Sequence, residues 1–175
     1  MPVCEVPPEK VWELINVNVG AVTCVSRLVL PGMAARGAGV LVCVSSGAEL
    51  QPLPLMAIYA ATKAYVRSLA AAVRSEYGAR GVRVQLLSPY FVATKINAFS
   101  ARLVRGHALV PDAAQYARSA AAALARADHT TGFWLHGLQY FFVSLAPEWA
   151  RIKIGHFMNQ QFRDEYLNNN KVKAH

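Results

Sequence analysis

Residues 39–63 read GVLVCVSSGAELQPLPLMAIYAATK, and this stretch decides the fold. Its first eight residues, Gly39 to Ser46, form a short apolar run that ends on two serines. Such a run reads as a strand covered on both faces, the kind found in a parallel sheet. Pro52 and Pro54 make the next segment a loop. From Ile58 an alanine-rich helical pattern runs to Tyr77, closed by Gly78 and Gly81, and Val82 to Ser88 gives a second strand. Upstream, Pro7 and Pro8 precede a long apolar helix, Glu9 to Ala35, with Trp12, Ile15, Val19, Val22, Val25 and Val29 at helical spacing. Apolar residues fill most of its other faces, so burial is expected. Helix, strand, helix, strand, with the strands roughly forty residues apart, predicts an α/β fold with a parallel sheet.

Downstream, Pro89 to Val110 looks irregular, and Pro111-Asp112 opens a third helix, where an early carboxylate suits the helix dipole. Thr130 to Pro147 contains no Asp, Glu, Lys or Arg. Its 18 residues approach the about 20 that span a bilayer. Gly132, His136, Gly137, Gln139 and Ser144 dilute it, however. An interfacial or substrate-covering helix is expected there, with core packing as the alternative. From Gln160 onward the chain is polar and basic.

Composition narrows the class. The 175 residues are 54% hydrophobic and 16% charged, with 18 Lys and Arg against 10 Asp and Glu, a net charge of +8 and a mean hydropathy of +0.24. Disordered chains are the opposite, low in hydrophobicity and high in charge. Three cysteines (Cys4, Cys24, Cys43) cannot staple a disulfide scaffold and read as buried free thiols in a reducing compartment. The five histidines show no HxxxH spacing and no neighbouring cysteine pair, so no metal site is expected. The positive charges are scattered, with no basic run interleaved with aromatics, and no nucleic-acid partner is expected. The opening MPVCEVPPEK lacks the basic head and apolar stretch of a signal peptide.

Tyr59 and Lys63 form Y-x-x-x-K near the start of the second long helix. Positions i and i+4 share a helix face, and an ammonium beside a phenol favours phenolate, which suits the phenol to proton transfer. Alone the motif is weak. Ser46, thirteen residues earlier, is expected at the carboxyl end of the first strand, where ligands lie in parallel sheets. Asn18 is a polar side chain among valines, either a satisfied buried amide or a link in a proton relay.

These four residues, in this order and spacing, resemble the short-chain dehydrogenase/reductase family. Asn18 (NVNVG), Ser46 (VSSG), Tyr59 and Lys63 (YAATKA) correspond one by one to that family's catalytic tetrad, and SPYFVATKI resembles its Pro-containing cofactor loop. INVNVGAV, VLPGM, SSGAELQPLPL and TTGFWLHGLQYFF with the later PEW resemble in particular the 17-beta-hydroxysteroid dehydrogenases of types 3 and 12. Type 12 includes the very-long-chain 3-oxoacyl-CoA reductases. The last stretch also resembles hydroxysteroid dehydrogenase-like protein 1, regarded as inactive for want of a tyrosine where this chain has Tyr59.

The resemblance implies the C-terminal portion of a Rossmann-like doubly wound parallel sheet, lacking the first βαβ units. It implies NADP(H) as cofactor, with Tyr59 as proton donor to a carbonyl and Lys63 holding the nicotinamide ribose. Ser46 would polarise the carbonyl, Asn18 would anchor a relay water, and Pro89, Val92 and Thr94 would line the cofactor. It divides the chain into a partial catalytic domain (1–128), an apolar substrate-covering or membrane-facing segment (129–159) and a basic tail (160–175). It further implies a lipophilic substrate, a long 3-oxoacyl-CoA or a steroid ketone, and a homodimer through the helices around 9–35 and 58–77.

The family's T-G-x-x-x-G-I-G segment does not occur. Gly32, Gly37 and Gly39 follow a helix and precede a strand, whereas a phosphate cradle needs a strand feeding a helix N-terminus. The first strand is therefore expected as an exposed parallel edge, and the chain as a fragment of a longer reductase. The alternative is a catalytically silent pseudo-enzyme acting through dimerisation or partner binding. Lys171 to His175 fit a K-x-K-x-x retrieval signal, so the expected location is the cytosolic face of the endoplasmic reticulum membrane, with peripheral membrane association; the mitochondrion is the alternative.

Overall fold

A computed structural model describes residues 1–97 and 100–173, without the side chains of residues 96, 101, 102 and 169–173. The core unit is a three-stranded parallel sheet in the order β1 (Gly39–Val44), β2 (Val82–Leu87), β3 (His129–Thr130). Val84 of β2 faces Leu41 of β1, and Leu86 faces His129 of β3. Before β1 runs a helical unit made of α1 (Pro8–Ile15), a wider-pitched π segment (Asn16–Ala21) and α2 (Val22–Arg36). Between β1 and β2 lies α3 (Ala57–Tyr77); after β2 come α4 (Ala101–Arg105) and α5 (Ala113–Ala122). Helices α6 (Trp134–Leu145) and α7 (Glu148–Lys173) complete the chain.

The apolar core lies where α2 and α3 meet the sheet. It contains Leu30, Cys43, Val66, Ala70, Val73, Val82, Val84 and Leu86, with Val66 and Ala70 wholly enclosed. Valines on β2 fill the pleat because their branched side chains suit it. Gln85, between Val84 and Leu86, points to the opposite face of the sheet, and its amide is fully used. Its Nε2 donates to the carbonyls of Ala123 and Ala127, and its Oε1 accepts from Ala125 N–H, pinning the α5–β3 connection to the sheet.

Several expectations are corrected. The first long helix is not buried: Ser26 and Leu30 are its enclosed residues, while Trp12, Val17, Val25 and Leu28 are exposed. The sheet and α3 cover one side of it, and Trp12, Val17, Val25 and Leu28 lie on the side left open among the described residues. β1 is likewise not covered on both faces, since Val40 and Val44 are exposed, and it pairs on one side with β2 alone. Cys4 and Cys24 are exposed, and only Cys43 is a buried thiol. The third helix starts at Ala113, because Asp112 stands outside it as the cap, its Oδ1 accepting from Gln115 N–H at 2.7 Å. The stretch from Pro89 to Val110 includes the short helix α4. The polar stretch beyond Gln160 continues α7. Ala174 and His175, and the side chains of Lys171, Val172 and Lys173 in the expected retrieval signal, lie outside the described residues.

Candidate active site

The site assembles at the carboxyl end of β1. The strand stops at Val44, so Ser46 does not end it as expected. The ladder's last bonds run from Ser45 N–H to the Leu87 carbonyl and from Gly47 N–H to that of Pro89, both 2.8 Å. Between them Ser46, in extended conformation, caps the short turn Gly47–Leu50, its Oγ accepting from Ala48 N–H at 3.2 Å. That leaves the Ser46 O–H as a donor. Helical spacing places Tyr59 in the first turn of α3, half-buried, with Lys63 one turn on. Lys63 Nζ lies 5.6 Å from the Tyr59 ring centre and donates to the Val44 carbonyl at 3.4 Å. Burial pushes the Lys63 pKa below its ordinary value, and the Glu49 carboxylate partly offsets this.

Asn18 sits in the π segment, a helical irregularity common at functional sites. Its Nδ2 donates to Thr62 Oγ1 at 3.2 Å, and Thr62 Oγ1 donates to the Tyr59 carbonyl at 2.7 Å. Asn18 is thus tied through Thr62 to the Tyr59 backbone, one turn before Lys63, and Ser46 lies two residues beyond the carbonyl that Lys63 grips. Pro89, Val92 and Thr94 are half-buried on the loop leaving β2. Asn97 Nδ2 holds that loop at the Val92 carbonyl (2.7 Å), and Ala93 N–H bonds the Pro111 carbonyl (2.9 Å).

Beside Tyr59 opens an apolar cleft of about 220 Å³, lined among others by Val3, Val6, Leu14, Leu55 and Met56. Helix α7 braces the loop below it, with Arg151 Nη1 on the Leu50 carbonyl (2.6 Å) and Asn159 Nδ2 on that of Pro54 (2.8 Å). Among the described residues no group of His, Cys, Asp or Glu could hold a metal ion.

Sequence reasoning missed Thr62, Ser45, Glu49 and these α7 contacts. Ser45, the neighbour of Ser46, donates its Oγ to the Lys63 carbonyl at 3.0 Å. Thr62 carried a signal, a hydroxyl three residues from Tyr59 on the inward side of a helix. The α7 contacts span about a hundred residues and left no local trace.

The family model for short chain dehydrogenase matches residues 1–102. A human protein named inactive hydroxysteroid dehydrogenase-like protein 1 is 38% identical over 159 residues, 91% of this chain and 48% of that protein. A mouse very-long-chain 3-oxoacyl-CoA reductase is 37% identical over 159 residues, 91% of this chain and 50% of the reductase. The chain therefore spans about half the length of the curated relatives it matches. Among solved structures, a gluconate 5-dehydrogenase from Burkholderia cenocepacia in complex with NADP and tartrate superposes with a TM-score of 0.55 at 27% identity, covering 81% of this chain and 51% of that one.

Proposed function

This chain belongs to the short-chain dehydrogenase family, and on that premise we propose that it carries the substrate side of an NADP(H)-dependent carbonyl reductase or alcohol dehydrogenase acting on a lipophilic ketone. The observation that carries this reading is the Asn18–Thr62–Tyr59 framework with Lys63 one turn beyond, all beside an apolar cleft. Tyr59 Oη is the proton donor to the carbonyl oxygen, and the Ser46 O–H orients and polarises it. Lys63 places its positive charge beside the phenol, and Asn18 fixes the π segment against α3.

The residues present fit the nicotinamide end of the cofactor. Among the described residues Lys63 has a single long bond to Val44 for its three donors, leaving hydrogens for a ribose diol, and the Pro89–Thr94 loop is tied to the Ser46 turn by the Gly47 N–H to Pro89 carbonyl bond. When bound, reduced nicotinamide supplies the hydride. Support for a lipophilic substrate, a long-chain 3-oxoacyl-CoA or a steroid ketone, comes from the cleft lining and from the reductase relative's name.

The exposed apolar residues of α1 and α2, with the small exposed residues Ala61, Ala64, Ser68 and Ala71 of α3, support a homodimer through these helices. Exposed Trp134, Phe141, Phe142, Leu145 and Trp149 support peripheral association with a membrane; our proposal for that membrane is the cytosolic face of the endoplasmic reticulum, with the mitochondrion as the alternative. The same unpartnered helices favour a second reading, a silent pseudo-enzyme acting through dimerisation or partner binding, to which the relative named inactive adds support.

The deciding experiment follows NADPH oxidation with a long-chain 3-oxoacyl-CoA and with a steroid ketone, for this sequence and for Tyr59→Phe. Turnover abolished in Tyr59→Phe, with the melting temperature kept, supports the reductase. Turnover unchanged in Tyr59→Phe overturns the proton-donor role. No NADPH fluorescence change, together with a stable oligomer, favours the second reading.

A further inference from the structure

A second polar cluster lies below the tetrad and takes no part in the proposed reaction. Glu49, three residues after Ser46 on the same short turn, has a completely enclosed side chain. Its Oε1 receives Ser88 Oγ at 2.9 Å and Tyr140 OH at 3.1 Å, while His129 Nε2 stands 3.8 Å from the same oxygen. His129 Nε2 is also 3.1 Å from Ser88 Oγ. Glu49 Oε2 is buried with no hydrogen-bond partner. Burying a carboxylate is costly unless its bonds are well made, so the retention of one under the Ser46 turn calls for a reason.

Hydrogen counting orders the cluster. Ser88 has one hydroxyl hydrogen, which goes to the carboxylate that can only accept. Ser88 must then accept from His129, so the proton of the neutral imidazole is on Nε2. The chain runs from His129, one-third exposed, through Ser88 to Glu49, and Tyr140 meets the same oxygen from α6.

We propose that Glu49 is a positioning residue whose carboxylate fastens the Ser46 turn, the start of the Pro89 loop and helix α6 to one point, with His129 as the solvent-facing end of its donor chain. This rests on the reading of Ser46 as part of the active site. Three segments far apart in sequence converge on one oxygen, and two of them are walls of the site. The Ser88 bond adds a side-chain tie to the Gly47 N–H to Pro89 carbonyl bond between those two walls, and the Tyr140 bond fastens α6 to the same oxygen. Other groups act on the cluster electrostatically: Tyr90 on the Pro89 loop, Lys63 and Arg67 on α3, and Arg74 toward His129.

The test is nuclear magnetic resonance of histidine-labelled full chain, which needs no turnover and so stands apart from the reductase reading. In the unmodified protein His129 is expected as the Nε2–H tautomer, and an Nδ1–H tautomer overturns the proposal without any variant. In Glu49→Gln, an uncharged acceptor keeps the shape and removes the charge, so the His129 pKa should fall further below its ordinary value. A filler with no electrostatic contact would leave it unmoved, and an unmoved value overturns the proposal. In Tyr140→Phe, amide exchange across residues 134–145 should quicken on the order of tenfold, the worth of one hydrogen bond to a charged group. Unchanged exchange there overturns the tie to α6.

Discussion

Asn18 and Thr62 are 44 residues apart in sequence and are joined by a 3.2 Å hydrogen bond between two helices. The bond links the one irregular turn of the first helical unit to the helix that carries Tyr59 and Lys63. Thr62 passes it on to the Tyr59 carbonyl, so the position of Asn18 and that of the first turn of α3 are coupled.

Thr62→Val should therefore do more than remove a buried hydroxyl. It strands the Asn18 amide and frees the Tyr59 carbonyl, at a cost of about 2 kcal/mol, or roughly 4–8 °C in melting temperature for a chain of this size. Thr62→Ser, which keeps the hydroxyl, should recover most of the loss. Equal melting temperatures for Thr62→Val and the parent would mean that the tie contributes nothing.

Gly47 lies face to face with Tyr90, and a Cβ on Gly47 would come within 2.6 Å of ring carbons. Tyr90 has no room to retreat, its hydroxyl being buried and its ring meeting that of His136 edge-on at 5.9 Å between centres. Gly47→Ala should cost roughly 1–3 kcal/mol by overpacking and push the Pro89 loop away from the Ser46 turn. Calorimetry reads the cost; a neutral substitution would mean that the loop yields freely.

Acid should destabilise the fold through its histidines. His136, wholly enclosed, accepts from Tyr90 N–H on Nδ1 and has Nε2 on the Leu109 carbonyl. Burial holds its pKa below 6.5, and burial does the same to His129. The folded state then binds these protons less readily than the unfolded chain. Stability is full above the unfolded value near 6.5 and declines as pH falls below it. His136→Gln should flatten the fall of melting temperature between about pH 6.5 and 5, leaving the part due to His129. Parallel curves for variant and parent would rule His136 out as a source.

Thiol chemistry checks the placement of β1. Cys4 and Cys24 are exposed, whereas Cys43 is 3% exposed and burial pushes its thiol pKa up. An aromatic disulfide reagent should titrate two thiols rapidly in the native protein and the third only on unfolding. Three fast thiols would place β1 outside the sheet.

Much of this was legible in one dimension because it depends on local spacing. The alternation of helix and strand follows from the apolar periods around Gly39–Val44, Ala57–Tyr77 and Val82–Leu87. Tyr59 and Lys63 had to share a face once the helix formed, since i and i+4 are neighbours on any α-helix. Exposure was not legible. The same valines that predicted a buried first helix are half uncovered, because burial depends on what stands opposite, and within this chain the sheet meets only the face of Ser26 and Leu30.

The sequence by itself determined the order of the elements, the parallel sheet and the shared helix face of Tyr59 and Lys63, all of which follow from repeat period and residue spacing. Only the tertiary structure decided how the candidate site residues are held. Ser46 is set by a turn rather than a strand, Asn18 by Thr62, and Glu49 by Ser88 and Tyr140. Those contacts join segments 39 to 91 residues apart, and a hydrogen bond across such a distance depends on how the elements pack, not on any pattern of neighbouring residues.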